Sequence, residues 1–417
     1  MSIRRIEQTL HQFNKIGYSE DGMNRLAYTK SERKAKELFK ELCESENLRV
    51  RMDHAGNMIA RREGVNPTLP PVLTGSHLDT VINGGKYDGT VGVVAAIELI
   101  RRLNEQQIQT NHPIEIISFA AEESSRFGLA TIGSKSMAGN FKPRNVENLK
   151  DKNGINLEDA FFHAGLNLSQ VEEASRKNET IKAFFEVHIE QGPVLEREQL
   201  DIGVVTGIAA PTRLKVTVKG KASHSGTTPM DFRNDAFLGA SEIGLAVERA
   251  AKAEADNGTV ATVGDCTIAP GAMNVVPDTA EMKIDIRSVD MESKQKVMKY
   301  VKDAIKNVER KRGLSVHSEL LTNDEPVILK QHVTSSILQT CEQLSVSYRE
   351  MASGAGHDAM NMARICPTGL IFIPCRNGLS HHKDEFSSLD AIGIACDVLE
   401  KEVLKWALSA NRNAIPK

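Results

Sequence analysis

The 417-residue sequence predicts an α/β chain built on a mixed sheet, with a self-contained α+β domain inserted into it. Three observations carry that reading. Apolar runs of strand length alternate with longer helical segments. Four of those runs, beginning at Val72, Ile114, Ala183 and Ile371, lead into histidine and carboxylate residues. Between the third and the fourth, roughly 211–325 reads in the order β-α-β-β-α-β, the ferredoxin-like arrangement of a four-stranded sheet with two helices. The expected division is therefore 1–210 and 326–417 for the first domain, with 211–325 as the insert.

The elements follow in order. Arg5–Phe13 and Lys30–Ser45 have helical periodicity with charges interspersed, and Leu48–His54 and Asn57–Arg61 read as strands about a turn at Ala55-Gly56. Val72–Thr74 is a short buried strand that runs on into Gly-Ser-His77-Leu-Asp79. Asn83-Gly84-Gly85 is turn chemistry, and Asp88 stands just before the apolar helix Val91–Ile100. Ile114–Ala120 is a buried strand ending in Glu122-Glu123. Residues 142–181 are polar and mostly helical in character. Ala183 opens a third apolar strand that finishes in His188-Ile-Glu190-Gln191. In the insert, Arg213–Lys219, Val260–Thr267, Ala280–Ser288 and Leu314–Leu321 are strands, and Asp235–Lys252 and Ser293–Arg312 are helices. Beyond it lie a glycine-rich loop, Ser353-Gly-Ala-Gly356-His-Asp358, suited to bringing N–H groups against an anion, and the run Ile371-Phe-Ile-Pro before Ser380-His381-His382.

Composition narrows the function class. Hydrophobic content of 40% and charged content of 26% are those of a globular protein, and a net charge of −3 gives no general affinity for nucleic acid or for an anionic membrane. No run approaches the ~20 apolar residues of a membrane span, and the amino-terminal stretch lacks a signal-peptide core. The six cysteines are scattered with no CxxC pair, which predicts reduced thiols and a cytoplasmic protein.

One histidine or acidic pair at a strand end is cheap: His77 alone reads as a surface histidine, Asp88 as a helix cap, Glu122-Glu123 as an exposed acidic loop. Four such ends in one chain point instead to a divalent-metal or catalytic centre, because ligands in open α/β sheets bind beyond the carboxyl ends of the strands.

Gly75-Ser-His77-Leu-Asp79-Thr, Asn83-Gly-Gly with Asp88-Gly89, Glu122-Glu123 with Ser125-Arg126-Phe127, and His188-Ile-Glu-Gln191-Gly192 recur together in one family. With them go Ser223-His224-Ser-Gly-Thr-Thr-Pro-Met230, Asn274-Val-Val-Pro277, Arg287, Ser353–Asp358 and Ser380-His381. On these residues the chain resembles the M20-type metallo-amidohydrolases along nearly its whole length. Within them it resembles the hydantoinase/carbamoylase branch of N-carbamoyl-L-amino-acid hydrolases, β-ureidopropionases and allantoate amidohydrolases.

The resemblance implies a mixed-sheet metallohydrolase catalytic domain with an inserted lid and dimerisation domain. It also implies two divalent metal ions per subunit, zinc or manganese, with cobalt or nickel as substitutes in vitro. Asp88 would bridge the ions, with His77 and His381 at separate metals and Glu123 and His188 completing the set. Glu122 would be the general base, and Asp79 would orient His77. His224 would reach the partner's site in a homodimer and bind the developing oxyanion. Arg287, Asn274, Gln191 and the Gly356 backbone would clamp the substrate carboxylate. Two departures touch the rim of the site: Ser124 and Lys383 stand where relatives commonly have glycine and proline. His382 is expected to be exposed. The implied reaction is cleavage of a carbamoyl or ureido C–N bond in a small molecule carrying a carboxylate. N-carbamoyl-L-amino acids come first and allantoate second, then N-acyl amino acids or dipeptides. A non-catalytic metal-binding assembly protein is the alternative of a different class.

Overall fold

The computed structural model describes residues 2–146 and 149–409. Met1, residues 147–148 of the polar stretch, and 410–417 at the end of the expected first domain lie outside the described residues. The chain divides into two compact units, one of Met1–Thr206, Leu329–Met351 and His357–Lys417, the other of Gly207–Ile328 and Ala352–Gly356.

In the first unit the centre of the sheet is four parallel strands in the order Thr368–Ile373, Ala183–Ile189, Val72–His77 and Ile114–Phe119. Ile202–Ile208 adds antiparallel to Thr368–Ile373, and Met58–Arg62 and Arg49–Met52 continue antiparallel beyond Ile114–Phe119. Every residue of the four central strands is buried, which is why their sequences are near-continuous apolar runs without alternation. Helices Ser2–Asn14, Thr90–Glu105 and Leu389–Leu408 contribute Ile6, Val93, Ile97, Ile392 and Leu399 to one large core with Phe185, Val187 and Ile371 of the sheet. A second core gathers Tyr28, Ala120, Phe127, Ile132 and Phe161. Among the described residues of the stretch expected to be mostly helical, Pro143–Asn145, Leu157–His163 and Leu168–Ala174 alone are helical. Its polar residues have too few apolar positions to bury one long face.

The second unit has a four-stranded sheet in the order Val260–Ala269, Thr279–Ser288, Ala210–Lys219, Ser315–Asn323, with every neighbour antiparallel. Ala210–Lys219 and Thr279–Ser288 alternate buried and open positions, because the helices Ala236–Ala253 and Met291–Arg312 cover one face only. Its core is Leu214, Val216, Val218, Met282, Ile284 and Ile286 against Ile243, Val247, Val297 and Val301. No described helix is long and apolar enough to cross a membrane.

Candidate metal centre

Because the four central strands are parallel, their carboxyl ends lie at one edge of the sheet, and so do the residues that follow them. His77 is the last residue of Val72–His77, so the strand runs three residues further than its apolar core suggests. Its Nδ1 lies 2.9 Å from the Asp79 main-chain oxygen. That bond puts the proton on Nδ1 and leaves Nε2 facing Asp88 Oδ1 at 3.3 Å. His188 repeats the arrangement, with Nδ1 2.9 Å from the Ile189 oxygen and Nε2 3.2 Å from the same Asp88 Oδ1. Asp88 precedes Gly89, whose φ of 63° starts helix Thr90–Glu105 and whose missing Cβ leaves room for the His77 ring.

After Ile114–Phe119 the chain turns at Ala121, which holds a left-handed φ of 51°. The turn separates the two glutamates. The Asp79 carboxylate accepts from both of their main-chain N–H groups, 3.1 Å to Glu122 and 3.0 Å to Glu123. Thus Asp79 fixes His77 through its carbonyl and the glutamate pair through its carboxylate, a division that residue spacing does not reveal. Glu123 Oε1 stands 3.2 Å from His381 Nε2, which is also 3.3 Å from Asp88 Oδ2. Glu122 Oε2 is 3.8 Å from His77 Nε2 and belongs to neither group.

Two donor sets result, His77–Asp88–His188 and Asp88–Glu123–His381, each with its ligand atoms within 4.8 Å of one another. Asp88 gives one oxygen to each. Imidazole nitrogens and carboxylates converging in this way fit two divalent ions of the zinc or manganese type sharing one carboxylate. A third group, Glu186–His188–His357, is fully buried and shares His188 with the first.

The electrostatics agree. Burial opposes the charged form of His77, yet the surrounding Asp88, Glu122 and Asp79 raise it well above the ordinary histidine value. Asp88 and Glu123 raise His381 to about 11. Burial, reinforced by Glu123 and Asp358 and opposed by His77, pushes Glu122 well above the carboxylate range. Burial lifts Asp79 to about 6. Without cations, protons are what this excess of buried negative charge retains.

Gln191 lies here too: its Nε2 donates to Asp88 Oδ2 at 2.7 Å. His382, half-exposed, accepts from Asp384 N. The other candidates are in the second unit. His224 and Asn274 sit on adjoining stretches, Ser223–His224 pairing with Val275–Val276. His224 Nδ1 accepts from the N–H groups of Gly226 and Thr227, so its free Nε2 is the donor nitrogen of the neutral ring. Arg287 is held by Asp285 at 3.1 Å and donates to the Gly354 oxygen at 3.0 Å, beside exposed Gly356. Three buried carboxylates are given no role of their own in the sequence reading, although Asp358 lies in a motif quoted there. Glu186 accepts from Ser76 Oγ and Ala359 N, Asp358 lies at the start of a short helix, and Glu385 contacts both ligand-bearing loops. For Glu186 there was a signal: a lone charge inside the apolar strand Ala183–Ile189.

A β-sheet hydrolase core with paired metal-donor sets at its carboxyl edge defines the class. The chain belongs to peptidase family M20/M25/M40, whose family model matches residues 73–405. Within it, the similarity runs to carbamoylase-type amidases over the whole length. An N-carbamoyl-L-amino-acid amidohydrolase of a Pseudomonas species is 38% identical, covering 97% of this chain and 98% of that protein. An allantoate amidohydrolase of Escherichia coli is 35% identical over 96% and 98%. The crystal structure of a hydantoinase/carbamoylase family amidase from Burkholderia multivorans superposes with a TM-score of 0.91 at 32% identity, covering 98% of each chain.

Proposed function

We propose that the protein is a dimetal amidohydrolase that cleaves the carbamoyl C–N bond of N-carbamoyl-L-amino acids, giving amino acid, ammonia and carbon dioxide. The observation that carries this reading is Asp88 shared between two donor sets, with Glu122 beside them and in neither. Two divalent ions held there would polarise the ureido carbonyl and make water a nucleophile near neutral pH. His77, His188 and His381 hold their Nε2 atoms toward Asp88 and Glu123 as ligands. Glu122 takes the proton from the attacking water and delivers it to the departing nitrogen, a role that its place beside His77 and outside both donor sets supports. Asp79 keeps the Glu122 backbone in place during both transfers. Arg287, presented as a fork by Asp285, binds the substrate carboxylate together with Asn274, Gln191 and Gly356. His224 donates Nε2–H to the developing oxyanion, reaching the site of a partner subunit in a homodimer formed through the inserted domain.

Allantoate is the second reading, favoured by the Escherichia coli relative; it presents the same ureido group beside a carboxylate. Ammonia release by protein reconstituted with manganese or zinc decides between them. Turnover of N-carbamoyl-L-methionine with allantoate inert supports the first reading, and the reverse supports the second. Silence on both with metal bound overturns both.

A further inference from the structure

Glu385 is buried, 3% exposed, and belongs to none of the donor sets. Its carboxylate nevertheless touches both loops that carry the shared and the outermost ligands. Oε1 accepts from the main-chain N–H of Tyr87 at 2.8 Å and of Asp88 at 2.9 Å. Oε2 accepts from Ser380 Oγ at 3.1 Å and from the His381 N–H at 3.3 Å. Ser380 Oγ also lies 2.8 Å from Asp88 Oδ2, on the side where Gln191 donates. Three main-chain N–H groups converge on the two oxygens, and the single Ser380 hydroxyl proton is shared between Glu385 and Asp88, so the carboxylate's acceptor capacity is directed at backbone and hydroxyl groups.

Gly85 of the Asn83-Gly84-Gly85 turn finds its physical reason here. Gly85 is absent from the positive-φ positions, so its backbone does not require glycine. A Cβ at Gly85 would instead fall within the Glu385 carboxylate. The turn is bare at Gly85 because the carboxylate lies against it.

We propose that Glu385 is a positioning residue that locks the Asp88 loop to the His381 loop, fixing the Asp88–Glu123–His381 set for its metal. The proposal rests on reading Asp88 and His381 as metal ligands. His77 and His188 end rigid strands and are oriented by their own neighbouring carbonyls. His381 follows a loop, holds a left-handed φ of 56°, and has a half-exposed side chain, so its direction depends on what grips its backbone. Glu385 is that grip.

The test is metal binding to metal-free protein, titrated with manganese and zinc and counted per chain, for wild type, Glu385→Gln and Gly85→Ala. A glutamine amide turns its NH2 toward one pair of donors whichever way it lies. Gly85→Ala displaces the carboxylate while leaving its chemistry intact. In both variants one of two ions is expected to bind about 10- to 100-fold more weakly. Turnover should fall at low metal and recover in excess metal, with KM little changed; affinity is read per folded chain, so a shift of the metal-free melting temperature in either direction does not stand in for it. Wild-type affinity for both ions in either variant overturns the proposal. So does a loss of metal-free stability with metal affinity per folded chain unchanged, which is the mark of a structural anchor alone. Wild type that takes up no metal overturns the metal-centre reading, and this proposal with it.

Discussion

Replacing Glu122 by glutamine separates proton transfer from metal binding. Glu122 lies outside both donor sets, and its nearest ligand contact is the 3.8 Å approach to His77. The amide is isosteric, and the clamp that places the residue uses the Glu122 main-chain N–H and the Asp79 carboxylate, neither of which changes. Metal content should therefore stay at two ions per chain. Loss of a positioned acid–base group costs about 10²–10⁴ in rate, or roughly 3–5 kcal/mol at 1.36 kcal/mol per decade. A second consequence concerns the metal-free protein. Burial, Glu123 and Asp358 disfavour the charged Glu122, so exchanging it for a neutral amide should raise stability at pH 8. The assay is ammonia release at saturating substrate, alongside metal analysis and urea melts in chelator. Turnover within tenfold of wild type would refute Glu122 as the proton carrier. Loss of one ion would make it a ligand instead.

Other outcomes follow from the same geometry. His224→Ala should keep both ions and lose about 10²–10³ in turnover, the cost of one oxyanion donor; full activity would remove His224 from the reaction. In the metal-free protein, burial lifts Glu385 to about 7 and Asp79 to about 6, and His381 is raised to about 11. The native state thus holds protons that the unfolded chain releases, and stability should fall as pH rises from about 4 through 7 and on toward 11. For Glu385 the shift from 4.5 corresponds to on the order of 3 kcal/mol. Urea melts at pH 5 and pH 8 in chelator measure this, and greater stability at pH 8 would contradict it.

The parts of the fold legible in the sequence were those whose burial is uniform. Ile114–Phe119 and Ala183–Ile189 are covered on both faces, and their apolar runs stand out. In the insert, one covered face produced the alternation that marks Thr279–Ser288. Ile202–Ile208 is not legible as a strand because two glycines and a threonine interrupt its apolar run. The helices Gln331–Leu344 and Leu389–Leu408 are likewise not legible. The second shows little amphipathic contrast because it is packed against helix and sheet along much of its length. At the site, His77, Glu123 and His188 could be singled out because strand ends announce them, and Asp88 and His381 because they lie in motifs shared with the family. Glu385 could not, since its partner Asp88 is 297 residues away and nothing local distinguishes it from a loop acid. Asp79 is named in the sequence reading as the residue that orients His77, but the hold of its carboxylate on residues 43 and 44 positions along the chain is not legible there.

The order of the central strands has a consequence for biosynthesis. His77, Asp88 and His188 all lie on the amino-terminal side of the inserted unit, whereas His381 lies on the far side of it. A ribosome that has released residue 189 has delivered one complete donor set and must translate roughly 190 more residues before the second exists. At about 5–20 residues per second that interval is on the order of 10–40 s. For all but the end of it, strand Ala183–Ile189 also lacks its neighbour Thr368–Ile373 and presents an open sheet edge. The nascent chain therefore passes through a stage with one candidate donor set and one exposed edge. Closing that edge and supplying His381 both fall to the same late-emerging segment.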